Sequence, residues 1–331
     1  MTEKIPIDRI KVISPMFSYG NGQLEPRSTE LKGLIRNTYR ISNPELDVQT
    51  LYKQEVNLFG GQLKEDREVT IKASPLRIQM LEQTTGSDID KLKLRLHHKQ
   101  EWLENGKWQK NYPYPMYNTG KLFEVNLSIN YNSSDFSTIL VLRDKKPLQW
   151  YTDLFNLSLI LGGIGKRSRR GRGCMTTAEL LNISKNDLPS YVVNLLNNVC
   201  GKEIYTVCDK RVTLKSSAIK VNNRPYIKEI RFGNTLIQAT RQDVNEYLKK
   251  VDQASHEIED KYGNYKATGF AKGENRFASS AIVSLAEIKE GIVPVYTLLH
   301  AVCKNGKFNR YHNAAEEQYA FVNIIEEGSK K

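Results

Sequence analysis

The chain has 331 residues, of which 39% are hydrophobic and 26% are charged. These proportions are typical of a folded protein and exclude an intrinsically disordered one, and the length accommodates two ordinary domains. Lysine and arginine together number 49 against 37 acidic residues, so the formal net charge is +12. Such an excess favours a polyanionic partner, most commonly nucleic acid.

The sequence does not support a membrane, metal or cofactor protein. No run approaches the roughly 20 consecutive apolar residues of a membrane-spanning helix, and the N-terminus MTEKIPIDRI lacks a signal-peptide core. The four cysteines form no C-x-x-C pair, and the five histidines have no metal-ligand spacing. We therefore expect a cytoplasmic protein with no membrane contact, no metal and no cofactor.

The first predicted elements are a strand at residues 10–17 and a helix at residues 27–41. One side of this helix is basic, because Lys32, Arg36 and Arg40 recur every four residues and so line up along the helix axis. A face that serves only solubility would more usually include acidic residues. The first helix is therefore a candidate anion-binding surface.

A second helix at residues 43–56, capped by Asn43, leads to a strand at residues 70–81. An insertion follows at about residues 84–120. Leucines alternate with basic residues at 90–98, which predicts a half-buried strand with a basic outer face. The aromatic-rich remainder of the insertion is compatible with an ordered loop, a base-stacking surface or burial in the core.

A strand at residues 123–130 and a helix at residues 147–161 precede a glycine-rich loop, GGIGKRSRRGRG, at residues 162–173. Glycine lets the backbone approach a ligand closely, and lysine and arginine supply charged donors for phosphate oxygens. The loop therefore predicts contacts to a polyanion backbone. The candidate residues are Gly162, Gly163, Gly165, Lys166, Arg167, Ser168, Arg169, Arg170 and Arg172.

The glycine-rich loop does not have the pattern of a nucleotide-hydrolysing P-loop. A P-loop reads G-x-x-x-x-G-K-[ST] and leads from a strand into a helix, where helix N-terminal amides bind the phosphates. Here Lys166 is followed by Arg167, Ile160 stands where the upstream glycine belongs, and the loop follows a helix. A solvated basic turn would explain the charge but not the glycines interleaved with it.

Apart from the second helix and the insertion, the first half has the order strand, helix, strand, strand, helix, strand, which is the ferredoxin-like order. The second half repeats it without the final strand, with elements predicted at residues 226–232, 241–262, 278–285, 293–302 and 313–325. Ala-Ser pairs at residues 73–74 and 278–279 occupy matching strands of the repeat. We predict an α+β protein with two tandem ferredoxin-like domains, at residues 1–183 and 184–331.

Three motifs of the chain resemble the RAMP superfamily of CRISPR systems. They are SPMFSYGNGQLEPRSTELKGLIRNTYR near the N-terminus, LFGG…KASPLRI after it, and GGIGKRSRRGRG in the centre. With the strand at residues 278–285, they follow the order of the family over nearly the whole chain. Within the family, the chain is similar to a RAMP subunit of the Cmr effector complex, the type III-B RNA-guided machine.

The resemblance implies a non-catalytic RNA-binding subunit that contacts the 3′ part of the guide RNA, the target RNA or both, and assembles with other RAMP subunits. The glycine-rich loop then joins the second helix of the first domain to its last strand. The family's RNA-binding positions correspond here to Arg27, Lys32, Arg36, Arg40, Lys166, Arg167, Arg169 and Arg170. Neutralising about five phosphates of single-stranded RNA gives a log-log salt slope of roughly −3.5.

One position departs from the family pattern. The loop of the family commonly ends with an aromatic residue between two glycines, whereas Arg172 stands between Gly171 and Gly173 in this chain. The change replaces an apolar or stacking contact with a further candidate phosphate ligand.

Two alternatives remain open. A metal-independent guide-RNA-processing endoribonuclease needs a general base, usually histidine, and His97 and His98 are the clustered candidates, although histidines on a basic strand are more often surface or RNA-contacting residues. Asp88 and Asp90 are the nearest carboxylate pair in a loop, but no motif makes them metal ligands for cleavage. The second alternative is a mainly structural adaptor that contacts protein partners through its basic surfaces.

Overall fold

A computed structural model of the chain describes residues 2–65, 68–82, 89–93, 101–104, 107–110, 113–130, 146–219, 223–262, 266–272, 275–300 and 314–328. The first half contains, in chain order, β1 (Thr2–Val12), β2 (Tyr19–Gly20), β3 (Gln23–Leu24), α1 (Ser28–Ser42), α2 (Val48–Phe59), β4 (Gly61–Glu65), β5 (Glu68–Lys72), β6 (Leu76–Glu82), β7 (Ile89–Lys93), β8 (Glu101–Glu104), β9 (Lys107–Lys110), β10 (Pro113–Tyr117), β11 (Leu122–Asn130), α3 (Pro147–Leu161) and β12 (Met175–Thr177). The second half contains α4 (Leu188–Cys200), β13 (Tyr205–Cys208), β14 (Arg211–Leu214), β15 (Ile227–Phe232), α5 (Arg241–Tyr262), β16 (Phe270–Lys272), β17 (Asn275–Phe277), β18 (Ala281–Ile288), β19 (Gly291–Leu299) and α6 (Ala314–Glu327).

The sheet of the first half has the order β12–β1–β11–β6, and each neighbouring pair is antiparallel. In the predicted ferredoxin-like unit, β1, β6, β11 and β12 are the first, second, third and fourth strands along the chain. Their order in the sheet is therefore fourth, first, third, second. Helix α1 follows the first strand and helix α3 follows the third. The ferredoxin-like unit predicted for the first half is confirmed.

The sheet of the second half has the order β13–β14–β15–β19–β18. Strands β15, β18 and β19 with helices α5 and α6 form the second ferredoxin-like unit, which is also confirmed. Among the residues that the structure describes, no strand follows α6, and β14 occupies the position beside β15. β14 belongs to a hairpin that precedes β15 in the chain. An earlier segment of the chain therefore pairs with the edge of β15 where the last strand of a ferredoxin-like unit would lie. The division into domains at residue 183 stays a prediction.

Two predicted boundaries shift because of local chemistry. Helix α2 begins at Val48 because the carboxylate of Asp47 accepts hydrogen bonds at 2.9 Å from the backbone amides two and three residues further on. Asn43, the predicted cap, instead donates from its side chain to the carbonyl oxygen of Tyr39. The single strand predicted at residues 70–81 is two strands, β5 and β6, separated at Pro75, which has no amide hydrogen for a ladder.

The internal repeat extends to atomic detail. A β-hairpin follows Gly60 in the first half and Gly269 in the second, and both glycines have left-handed φ angles, 78° and 75°. A Cβ atom on either glycine would lie 2.6 Å from the backbone nitrogen of the matching serine, Ser74 or Ser279. Each serine hydroxyl donates at 2.6 Å to the carbonyl oxygen two residues further on. The two Ala-Ser pairs are therefore equivalent positions.

Only part of the insertion belongs to the described residues. β7 pairs with β10, and β8 pairs with β9. The basic strand predicted at residues 90–98 is confirmed as far as Lys93, whereas Asp88, His97 and His98 lie outside the described residues. Asp90 forms an ion pair with Arg241 at the start of α5, so it is a partner of the second half.

Helix α3 joins the two halves because it is apolar on nearly all sides. Twelve of its fifteen residues are buried, as expected for a helix enclosed by protein. It packs on α1 and α4 and also on β18 and β19. The hydroxyl of Ser284 in β18 donates to the carbonyl oxygen of Ile160 at 2.5 Å. One hydrophobic core therefore extends from the first half across α3 to β18 and β19, and α5 and α6 contribute to a second.

The glycine-rich loop leaves α3 and runs along the outer edge of β18. The amide of Gly171 donates to the carbonyl oxygen of Val283 at 2.8 Å, and the amide of Val283 donates to that of Arg169 at 3.0 Å. β18 is the last strand of its sheet, and an uncovered edge strand can pair with other chains. The loop thus covers this edge and fastens the first half to the second.

A buried carboxylate completes this connection. Asp252 in α5 is 3% exposed and accepts hydrogen bonds from Arg172 at 2.7 and 3.1 Å and from Arg167 at 3.1 Å. A buried charge of this kind is tolerated only when it is paired and hydrogen-bonded.

A second buried carboxylate fixes the segment before β16. Glu317 in α6 is 1% exposed and accepts a hydrogen bond at 2.8 Å from the amide of Ala267. Burial raises the pKa of Glu317 from 4.5 to about 7, although this hydrogen bond and the charge of Lys266 act in the opposite direction.

We expect Asp252→Asn to destabilise the protein strongly. The substitution leaves the buried guanidinium group of Arg172 and the partly buried one of Arg167 without a counter-charge, and breaking a buried ion pair typically costs about 3 to 5 kcal/mol. The free energy of unfolding is measured by urea titration. Asp260→Asn is the control, because Asp260 is exposed on the same helix and should change stability by less than about 0.5 kcal/mol. Equal stability of the two variants would contradict the role of Asp252.

We expect the stability of the protein to fall as pH rises from about 4.5 to about 7 through Glu317. In this window the unfolded chain has lost the proton that the folded protein retains, so rising pH favours unfolding. Glu317→Gln keeps an oxygen acceptor but cannot ionise, so this contribution should vanish. Urea midpoints at several pH values test it, with Glu316→Gln on the exposed neighbour as the control. An unchanged slope in Glu317→Gln would exclude the effect.

Candidate nucleic-acid interface

The basic face of α1 is oriented by contacts within the protein. The ammonium group of Lys32 donates to the hydroxyl of Ser74 at 2.5 Å. Arg36 and Arg40 both donate to the carboxylate of Glu55 in α2, at 2.9 Å from Arg36 Nε and 2.5 Å from Arg40 Nη2. Glu55 is 2% exposed, so one buried carboxylate orients two guanidinium groups and leaves them with a net charge of +1.

The electrostatics keep this cluster ionised. Burial alone would raise the pKa of Glu55, but hydrogen bonds from Arg40 and Arg36 lower it overall. Arg40 is 49% exposed against 29% for Arg36, so Arg40 is the more accessible of the two. At the beginning of α1, Arg27 forms an ion pair with Glu30 at 2.8 Å.

Four of the five cations in the glycine-rich loop contact the second half of the chain. Arg167 and Arg172 pair with Asp252, as described above. Arg169 donates to the carbonyl oxygen of Ser279 at 2.6 Å, and Arg170 donates to that of Thr268 at 2.9 Å. Arg172 is buried, so a direct phosphate contact by this residue would require its ion pair to break.

Burial lowers the pKa of Arg167, Arg169 and Arg170 more strongly than their partners raise it. It lowers the pKa of Arg167 despite the charge of Asp252, and it lowers that of Arg169. It also lowers the pKa of Arg170 to about 10, with a smaller effect from Arg167. All three remain charged at neutral pH. Their positive charge is therefore incompletely compensated by the protein, and an anion nearby would be stabilised.

Lys166 is the exposed cation of the loop. Its ammonium group lies 4.8 Å from the ring centre of Tyr19 and 4.2 Å from that of Tyr114 in the insertion. Each distance is within the range of a cation–π interaction. The insertion thus positions the accessible charge of the loop, and two aromatic rings stand beside it.

The glycines of the loop serve close packing. Gly165 and Gly173 have left-handed φ angles of 83° and 68°, and a Cβ atom would lie 2.5 Å from the carbonyl oxygen of Phe17 or 1.9 Å from that of Ile164. Gly162, Gly163 and Ser168 line a cavity of about 240 Å³ between the loop and α1. The sequence correctly indicates close approach at these glycines, and the group that approaches is the protein's own backbone.

The structure brings α1 and the loop together around two adjoining cavities. The smaller is the cavity lined by Ser168, and the larger measures about 350 Å³. Asn37, Ile41 and Arg169 line both. Arg40 joins them in the larger cavity. Five of the predicted residues therefore meet at one cleft, namely Arg40, Gly162, Gly163, Ser168 and Arg169. The other predicted residues do not line it, namely Arg27, Lys32, Arg36, Gly165, Lys166, Arg167, Arg170 and Arg172.

The larger cavity also contains Arg224, which the sequence did not indicate. Arg224 donates to the carbonyl oxygens of Arg40 at 3.0 Å and Leu46 at 2.8 Å, and to that of Asn43. It thereby satisfies carbonyl groups at the C-terminal end of α1. A single arginine in a turn has no periodicity or spacing that would distinguish it, so no sequence signal identifies Arg224.

The described residues give no evidence for a metal site or a membrane span. No group of three or more His, Cys, Asp or Glu side chains among them is arranged to hold a metal ion. None of the helices in the described part is long and apolar enough to cross a membrane.

Chains in two solved structures share the fold of this chain. Chains in two structures described as type III-B Cmr-beta bound to cognate target RNA, one of them with AMPPnP and in the presence of ssDNA, give TM-scores of 0.54 and 0.52 at 12% and 11% identity. Both alignments cover 97% of this chain and 99% of the other. The crystal structure of apo Cmr1 from Pyrococcus furiosus gives a TM-score of 0.45 at 14% identity, over 98% of this chain and 96% of that one.

The family assignment comes from the sequence. No curated protein matches the chain. The family model of the RAMP superfamily, however, matches residues 9–176, just over half of the 331 residues, including α1, α3 and the glycine-rich loop. The chain therefore belongs to the RAMP superfamily.

Proposed function

We propose that the chain is a non-catalytic RNA-binding subunit of a type III-B CRISPR effector complex. The observation that carries the proposal is the cleft between α1 and the glycine-rich loop, where Arg40, Arg169 and Arg224 converge from three separate elements. Forked arginine donors are suited to phosphate oxygens. The net charge of +12 adds long-range attraction for RNA.

The fold supports the place of this subunit in a complex. The similar chains at TM-scores of 0.54 and 0.52 belong to Cmr-beta structures bound to target RNA. By analogy, this chain assembles with other RAMP subunits in the cytoplasm and contacts the guide RNA 3′ region, the target RNA or both. The analogy is one of fold, so the basic residues of the cleft and of the glycine-rich loop beside it, rather than the likeness, determine which contacts are tested.

Lys166→Ala should weaken binding of single-stranded RNA and reduce the steepness of its salt dependence. Removing one phosphate contact lowers the magnitude of the log-log slope by about 0.7. Fluorescence anisotropy with the full chain at several salt concentrations measures both quantities. Lys202→Ala is the matched control, because Lys202 is an exposed lysine in the turn after α4. A salt slope equal to that of the control would show that Lys166 does not contact the RNA.

The non-catalytic assignment predicts that the purified chain leaves guide-repeat RNA and target RNA intact, both in EDTA and with Mg²⁺. Gel analysis of end-labelled RNA tests this directly. Cleavage in EDTA that disappears in the double variant His97→Ala, His98→Ala would instead establish the metal-independent endoribonuclease.

A further inference from the structure

The larger cavity of the cleft has the dimensions and the walls of a small-molecule site. Its volume of about 350 Å³ lies at the lower end of the roughly 300–1,000 Å³ typical of such sites. Ile41 and Leu51 of the first half face Pro225 and Leu299 of the second. The volume accommodates one nucleotide and excludes a duplex, and the apolar walls suit a group with a flat, weakly hydrated surface.

The charge of the cavity selects an anion. Arg40, Arg169 and Arg224 line it, and no carboxylate is among its lining residues in the described part of the chain. Two cavities beside α5 and α6 are different, because Glu326 lines both, together with Asp243 and Glu246 in one of them. Burial lowers the pKa of both Arg169 and Arg224, so a bound phosphate would offset the cost of burying their charge.

Aromatic and amide groups complete the site. His300 lines the cavity, and its ring stacks on Tyr226 behind it with ring centres 4.8 Å apart and planes 12° apart. Phe277 also lines it. The side-chain amide of Asn37 forms no hydrogen bond to the residues that the structure describes, so its donors and acceptor are available at the junction of the two cavities. Stacking surfaces and an amide are the groups that proteins use to hold a nucleobase.

We propose that this pocket, lined by Asn37, Arg40, Arg169, Arg224 and His300, binds one unstacked nucleotide of an RNA strand. The base lies against His300 and Asn37, and the flanking phosphates lie at Arg40 and Arg169. This inference rests on the proposed function. A nucleotide within a strand fits better than a free mononucleotide, because the smaller cavity along the glycine-rich loop adjoins the pocket and shares Asn37 and Arg169 with it.

Ala278→Trp tests the pocket by filling it. Ala278 lines the cavity and is exposed, so the indole enters the pocket without replacing a buried side chain. Ala178→Trp is the matched control on an exposed turn after β12. Asn37→Ala is a second variant that leaves the cavity open. Far-ultraviolet circular dichroism and urea midpoints establish that all three variants are folded.

The probe is a single-stranded RNA with 4-thiouridine at each position in turn, crosslinked to the full chain and mapped by mass spectrometry. We expect crosslinks at His300 or Phe277 from one position in the wild type, their loss in Ala278→Trp and their retention in Ala178→Trp. Affinity for the RNA should fall about 5- to 150-fold in Ala278→Trp, the effect of losing one base stack. Asn37→Ala should weaken the crosslink without abolishing RNA binding.

The outcomes separate this inference from the proposed function. Normal RNA affinity and unchanged crosslinks in Ala278→Trp would overturn the pocket alone and leave RNA binding established. AMP binding that Ala278→Trp blocks while RNA affinity is unchanged would assign the pocket to a free nucleotide and overturn its role in RNA binding. A wild-type chain that binds no RNA would overturn the proposed function and this inference together.

Discussion

The hydrogen-bonded contact between the glycine-rich loop and the edge of β18 is the constraint on which the functional surface depends. Two backbone hydrogen bonds between Val283 and the loop fix the position of the loop on the second sheet. Asp252 then draws Arg167 and Arg172 inward. Arg170 donates to the carbonyl oxygen of Thr268 and does not line the cleft. Because these three side chains are committed to the protein, Lys166 and Arg169 are left as the loop cations that can meet a ligand. The connection between the halves thus selects the residues of the interface.

Two buried carboxylates order the basic surface. Glu55 holds Arg36 and Arg40, and Asp252 holds Arg167 and Arg172. In each cluster two cations share one anion, so a positive charge remains while the side chains lose rotational freedom. Arg40, the exposed member that lines the cleft, therefore loses less conformational entropy when RNA binds than a mobile surface arginine would. The arrangement keeps part of the excess positive charge while fixing where it lies.

Much of the fold follows from sequence patterns that are purely local. The predicted helices at 147–161 and 241–262 agree with α3 and α5 to the residue. A long apolar pattern that begins with proline is a strong signal for α3, and apolar residues spaced three and four apart are the signal for α5. The predicted start of α2 was wrong, because Asn43 and Asp47 are both good N-capping residues. Only packing at the end of α1 decides between them. The sequence also could not predict that β14 pairs with β15, because this pairing depends on which strand reaches the open edge of the sheet.

By itself, the sequence determined the duplicated ferredoxin-like order, the glycine-rich loop and the two sets of basic residues that indicate a polyanionic partner. Those features follow from periodicity, turn chemistry and charge, which act between residues close together in the chain. The tertiary structure alone decided that all four loop arginines contact the second half and that Arg40, Arg169 and Arg224 share one cavity. These residues are far apart in the chain, and only the burial of α3 between two sheets brings them together.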